Sequence, residues 1–299
     1  MSYAKIGLLV LMVLFGLVFA VVWWMRQGGR GRAAGDQGTT PILTGIGFGT
    51  NFFDTLGIGS FATTTALFRA FKAVDDRQIP GTLNVGHMLP TLVQAAIFIT
   101  VVEVEMKTLA AMIAASVLGA WLGAGLVAGF SRRATRLGMG TLLIVAAGFM
   151  VIRMVGVMPP GGDALALDGR LLLFAVLGNF VLGALMMLGI GLYAPCMVLV
   201  SLLGMNPRAA FPIMMGSCAF LMAAAGVRFV RSGAHDQRAS VGLTLGGIPG
   251  VLIAAFIVKQ MPLDVVRWLV VVVVLYTAVS LLYDGLKERP AATTPKGAG

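Results

Sequence analysis

Two stretches decide how this chain folds. The first is Gly45-Ile-Gly47-Phe-Gly49-Thr-Asn51-Phe-Phe-Asp54-Thr-Leu56-Gly57-Ile58-Gly59, and the second is Leu188-Gly189-Ile190-Gly191. Each glycine inside a helix costs about 1 kcal/mol relative to alanine. So dense a run predicts a helix that breaks at Leu-Gly-Ile-Gly. In hydrocarbon a broken backbone leaves N–H and C=O groups unpaired, so it survives only where protein or a watery cavity covers it. The two breaks are therefore expected inside the protein.

Composition says what surrounds them. Of 299 residues, 58% are hydrophobic and only 11% charged, against about 25% charged in soluble domains. Apolar stretches follow one another, each near the ~20 residues that cross a bilayer as a helix. The alternation of a membrane β-barrel is missing. These features predict an all-α integral membrane protein. The net charge of +10 does not point to nucleic acid, because the basic residues sit in short loops between apolar segments, where they set orientation. Cys196 and Cys218 stand in apolar segments without metal-ligand spacing, and two histidines are too few for a typical zinc site. Neither a metal nor a cofactor is implied.

The first span, Ile6 to Met25, has its basic cluster (Arg26, Arg30, Arg32) after the apolar run. That order reads as a true span with its N-terminus outside, not as a signal peptide. A Gly-rich linker, Gly28 to Thr40, leads to a long stretch from Pro41 to Phe68. Further spans follow at Gly81–Val102, Thr108–Phe130 and Leu137–Val157. The second half has a long stretch from Leu171 to Met205, then spans at Ala210–Val227, Ala239–Val258 and Trp268–Tyr283.

The halves match. At an offset of 132, Leu56-Gly57-Ile58-Gly59 meets Leu188-Gly189-Ile190-Gly191, Phe61 meets Tyr193, Ala62 meets Ala194, Leu67 meets Leu199 and Pro80 meets Pro212. At 131, Gly119 meets Gly250 and Arg136 meets Arg267. A collinear series of this kind argues for a duplicated unit. The expected organisation is an N-terminal transmembrane helix with its linker (1–40), repeat 1 (41–158), repeat 2 (169–286) and a disordered cytoplasmic tail (287–299).

If each Gly-rich stretch is a hairpin that returns to its own side, the basic clusters all fall on one side. They are 26–32, 69–77, 132–136, 228–238 and 287–289. That is a positive-inside partition with a cytoplasmic C-terminus. Each repeat then holds one broken or re-entrant hairpin plus three transmembrane helices, and the second repeat is inverted. Inverted repeats with broken helices at the midplane are a transporter design.

A half-helix starting after each break would aim its free N–H groups and positive dipole end at a central site, where an anion binds without a buried Lys or Arg. The bland alternative is that the glycines only allow close helix packing. Gly119-xxx-Gly123, Gly125-xxx-Gly129 and Gly242-xxx-Gly246-xxx-Gly250 do read as contact faces, internal or at a homodimer interface. The candidate substrate-binding residues are Asn51, Asp54, Thr55, Gly57, Gly59, Ser60, Thr63, Thr64, Asn84 and His87 in the first half. In the second they are Gly189, Gly191, Tyr193, Cys196 and Ser217, with Cys218 beside them. Ser60 also stands where a helix N-cap is expected. Asp54 and His87 are proton-coupling candidates, because ionisable groups within apolar segments are functional by default. A turn-capping aspartate and a satisfied core histidine are the structural alternatives. Arg153, near the end of its span, reads as snorkelling to the interface.

The stretch Thr50-Asn-Phe-Phe-Asp54-Thr-Leu-Gly-Ile-Gly59-Ser, followed by Ile79-Pro-Gly-Thr-Leu-Asn84-Val-Gly-His87, resembles the TauE/SafE family of membrane transporters, described as sulfite exporters. The likeness runs from about Pro41 to Leu286 and is more specific in the first half. It implies a bacterial inner-membrane exporter of small sulfur-containing anions such as sulfite, sulfoacetate or other sulfonates. Where many members carry a Gly-Gly-Gly cluster before the break, this chain has Phe53-Asp54-Thr55. The partners expected are the small anion and the lipid bilayer. The alternatives are a passive anion channel and, more remotely, a membrane enzyme, for which no nucleophile–base pair or metal set is evident.

Overall fold

The computed structural model describes residues 2–29, 41–157, 161–189, 191–256 and 264–288. Most of the Gly-rich linker, Ile190, Lys259, Arg289 and nearly all of the expected tail lie outside them. Among the described residues twelve α-helices follow in order. They are α1 (Tyr3–Gly29), α2 (Pro41–Thr55), α3 (Ser60–Ala70), α4 (Ile79–Gly86), α5 (Met88–Val101), α6 (Met106–Val127), α7 (Arg132–Met154), α8 (Gly169–Met186), α9 (Tyr193–Leu202), α10 (Ala210–Ser232), α11 (Gln237–Phe256) and α12 (Asp264–Lys287). A short 3-10 turn, Pro207–Ala209, leads into α10. Among the described residues the only β contact is a bridge between Ala164 and Met205.

Among the described residues six helices are long and apolar enough to cross a membrane: α1, α6, α7, α8, α10 with its leading turn, and α11. The pair α4 and α5 qualifies as a seventh, bent by 46° at a one-residue break. The bend falls at His87, and its cause lies at Pro90. Proline has no N–H to offer the carbonyl four residues back, and that carbonyl, of Gly86, accepts instead from Thr244 Oγ1 at 2.8 Å.

Both predicted breaks are present, and the same chemistry makes them. At the end of α2, Gly57 has φ 87°. Its N–H bonds to Asp54 O (2.8 Å), and Ile58 N–H bonds to Phe53 O (3.1 Å). This is the Schellman arrangement, which needs a left-handed residue and so favours glycine. At the end of α8, Gly189 repeats it with φ 90° and a bond to Met186 O at 2.9 Å. The second glycine of each copy, Gly59 (φ 92°) and Gly191 (φ 76°), turns the chain into the next helix. Leu-Gly-Ile-Gly thus separates α2 from α3 at the first break and, with its flanking residues, α8 from α9 at the second.

The incoming helices α2 and α8 dock by backbone contact. A Cβ on Gly246 of α11 would lie 1.9 Å from Thr44 O, and one on Gly47 would lie 2.6 Å from Leu243 Cα. A Cβ on Gly119 of α6 would lie 2.0 Å from Phe180 O of α8, and one on Gly183 would lie 2.2 Å from Ser116 O. The small-residue faces therefore serve contacts within the chain: α2 packs chiefly on α11, and α8 chiefly on α6. α3 packs on α12 and α9 on α7. α10 lies at the centre, almost wholly buried, and α1 covers it with Phe19 seated against Gly226.

The bundle has two chemically distinct ends. At one end Arg69 bonds Asp76 and Asp284 (both 2.6 Å), and Arg136 bonds Asp76 (2.8 Å) and Glu288 (3.1 Å). Arg132 pairs with Asp75 there, and Trp23 donates to Gln237 at 2.8 Å. At the other end Lys5 reaches the carbonyls of Thr100 and Val102, Glu105 N–H bonds Leu165 O and Lys107 pairs with Asp168.

Candidate functional site

The two breaks meet at one cavity. Its walls are Asp54, Ile58, Gly59, Ser60, Phe61 and Ala62 from the first hairpin, and Met186, Gly191, Leu192, Tyr193 and Pro195 from the second. Thr91 of α5, Ala146 and Met150 of α7, and Cys218 and Met222 of α10 complete it. The cavity has a volume of about 40 Å³.

Asp54 is the polar centre. Its Oδ1 accepts from Ser60 N–H at 2.6 Å, the first N–H of α3. The carboxylate therefore caps α3 from across the break. Ser60 is the first residue of that helix and Gly59 its cap position, so the hydroxyl expected to cap it does not. Asp54 Oδ2 accepts from the Tyr193 hydroxyl at 3.0 Å, which ties the first hairpin to the second. A phenol has one proton, so the neighbouring Gln94 must present its amide nitrogen here. Turned that way, it donates to Asp54 Oδ2 (3.0 Å) and to Tyr193 Oη (2.9 Å), and its oxygen accepts from Thr55 N–H (3.3 Å). Three elements thus converge on one buried carboxylate.

The two helix ends differ. The N-terminus of α3 is occupied by Asp54. Among the described residues no side chain caps that of α9, and its Leu192, Tyr193 and Pro195 face the cavity. Pro195 sits within its first turn, where the missing N–H costs no internal bond.

His87 does not line the cavity. Asn51 gives its amide to Gly47 O at 2.7 Å, so its Oδ1 accepts from His87 Nδ1–H at 3.1 Å. His87 Nε2 then accepts from Thr64 at 3.0 Å, and the ring stacks on Phe61 at 5.8 Å. Asn51, Thr64 and His87 form a closed polar chain that pins α2, α3 and the α4–α5 bend together. Asn179 does a similar job for α8, donating to Met112 O (2.7 Å) and Ser217 Oγ (3.0 Å).

Of the residues singled out from sequence, Asp54, Gly59, Ser60, Gly191, Tyr193 and Cys218 line the cavity. Thr55 and Thr63 bond to carbonyls of their own segment. Asn84 donates to Pro80 O, with its buried Oδ1 unpaired. Gly57 and Gly189 shape the breaks, and Cys196 is buried nearby. Gln94 was not anticipated; a lone amide inside an otherwise apolar span was the available signal. Arg153 reaches inward: its Nη1 donates to Gly57 O at 3.1 Å.

A polytopic helical protein whose two broken hairpins close on one small internal cavity is of the membrane-transporter class. The chain matches the sulfite exporter TauE/SafE family over residues 2–150 and 171–299, and it belongs to that family. No curated protein and no solved structure matches it.

Proposed function

We propose that the chain is a secondary transporter that exports small sulfur-containing anions, such as sulfite, sulfoacetate or other sulfonates, across the bacterial inner membrane. One observation carries this: Tyr193 of the second break holds Asp54 of the first, so a single cavity belongs to both hairpins. The proposed arrangement is two inverted repeats. In support, α3 ends beside Asp76 and Asp284, whereas α9 ends beside the opposite set of loops, where Gly162 N–H bonds Met205 O. The packing also exchanges, α2 on α11 for α8 on α6 and α3 on α12 for α9 on α7. The end rich in arginine is assigned to the cytoplasm, which puts the N-terminus outside.

In this scheme the anion lies against the uncapped N-terminus of α9, whose dipole favours negative charge. Asp54 holds the corresponding end of α3. Protonation of Asp54 would weaken its hold on Ser60 N–H and remove a negative charge from the cavity, which couples a proton to anion occupancy. His87, with both ring nitrogens committed, serves as a brace. Purified protein in vesicles, loaded in turn with sulfite, sulfoacetate, taurine, thiosulfate and sulfate, tests this. Saturable flux of sulfite or a sulfonate, responsive to a pH gradient and lowered at least tenfold by Asp54→Asn, is expected. Unsaturable flux indifferent to both pH and Asp54→Asn would identify a passive channel instead.

A further inference from the structure

The cavity has an electrostatic problem. None of its described lining residues is Lys, Arg or His, and one is the carboxylate Asp54. An anion brought beside an ionised aspartate in a low-dielectric interior needs a compensating charge. The uncapped end of α9 supplies only about half a charge.

Arg153 is placed to supply it. Ala146, Met150 and Arg153 stand at i, i+4 and i+7 of α7, hence on one face. The first two line the cavity, and Arg153 is one turn further along. Its side chain crosses to the tip of the first hairpin, where Nη1 holds the Gly57 carbonyl at 3.1 Å. A Cβ built on Gly57 would lie 3.8 Å from Nη2, so the guanidinium lies over the tip itself. Gly57 adjoins Ile58 and Gly59, which line the cavity. The residue is half-buried, as a group between interior and outer surface would be.

We infer that Arg153 is the anion-receiving cation of the transport site, turning from its present partners, the Gly57 carbonyl among them, to two oxygens of the substrate's sulfur oxyanion. A planar guanidinium offers paired N–H groups that match two such oxygens, whereas an ammonium offers a point charge. The exchange also frees the Gly57 carbonyl at the hairpin tip, so substrate arrival and the state of that tip are linked. The inference rests on the anion-transport function proposed above and adds its principal charged contact.

The test is initial sulfite flux into vesicles containing wild-type protein, Arg153→Lys, Arg153→Gln or Arg153→His. Wild-type flux should saturate. Arg153→Gln should raise KM for sulfite about tenfold or more with little change in limiting rate, as for a lost binding contact. Arg153→Lys should fall between. In Arg153→His the ratio of mutant to wild-type KM should climb as pH passes upward through about 6.5, where imidazole loses its charge. A residue that only braces the hairpin tip would lower thermal stability and limiting rate, leaving KM and its pH dependence as in wild type. Wild-type KM in Arg153→Gln overturns the inference and leaves the transport function standing. A pH-independent KM ratio in Arg153→His overturns it too, even if the glutamine variant fails to fold. No saturable anion flux in the wild type overturns both.

Discussion

Tyr193 has one proton to give, and Asp54 takes it. Removing that proton donor while keeping the ring is the smallest change that separates the two hairpins chemically. Tyr193→Phe leaves the packing of α9 intact and removes a hydrogen bond to a charged group, worth about 1.5–3 kcal/mol. The expected result is a monodisperse protein with sulfite flux reduced about tenfold, read in the same vesicles. Tyr193 was visible in the sequence only because Phe61 stands 132 positions earlier in a recognisable repeat. Gln94 had no such mate, and its role depends on a bond across 40 residues to Asp54 that no local pattern announces. The polar residues near the first break were legible as a set but not as a division of labour. Asn51, Thr64 and His87 satisfy one another, and spacing along one chain does not reveal which polar groups have already spent their hydrogen bonds.

At the scale of elements, α2 separates its glycines by duty. A Cβ on Gly47 would strike the backbone of Leu243 and Gly242 at 2.6–2.8 Å, whereas nothing lies within 4 Å of a Cβ on Gly45 or Gly49. Gly47→Ala should push α2 off α11 and lower the thermal midpoint in detergent by several degrees. Gly45→Ala and Gly49→Ala should leave it unchanged or raise it, since alanine favours helix by about 1 kcal/mol. Equal losses at all three would show that the α2–α11 contact does not limit stability. Gly59→Ala and Gly191→Ala test the breaks. No Cβ clash arises at Gly59, but φ of 92° and 76° is a region costing an L-residue about 1–2 kcal/mol. Flux should fall more than stability, because the strain sits at the cavity wall. The breaks were plain in the sequence since glycine is the residue that left-handed backbone requires. The bend falls at His87 and not at Pro90 itself, because a proline's effect is felt at the carbonyl it leaves unpaired.

For the whole molecule, the division of charge between two ends makes topology measurable. Lys72 and Glu103 are exposed at opposite ends of the bundle, and both native cysteines are buried. Lys72→Cys should react with a membrane-impermeant thiol reagent only in inside-out vesicles, and Glu103→Cys only in intact cells. Labelling of both from one side would refute the proposed orientation. The arginine-rich end is also a mechanical join, since Asp76 accepts from Arg69 of α3 and Arg136 of α7 together. Asp76→Asn should cost roughly 1–3 kcal/mol, less than a fully buried pair because some exposure remains, and should show as a lower unfolding temperature. The sorting of charge by end was legible in the loops. Which carboxylate bridges which arginines was not, because the partners lie up to 215 positions apart.

The glycine faces of α2 and α8 carry one more consequence. Helices that interlock through side chains behave as two racks of teeth, and a tooth must be lifted before either can travel. Where Gly246 lies on Thr44 and Gly119 lies on Phe180, two smooth rods meet instead. Between α2 and α11 axial travel is resisted mainly by surface contact, whereas travel of α8 along α6 must also break the Asn179 bond to Met112 O. The first hairpin rests on a bearing with the bonds at its tip as the stop, while the second is latched to its track by Asn179.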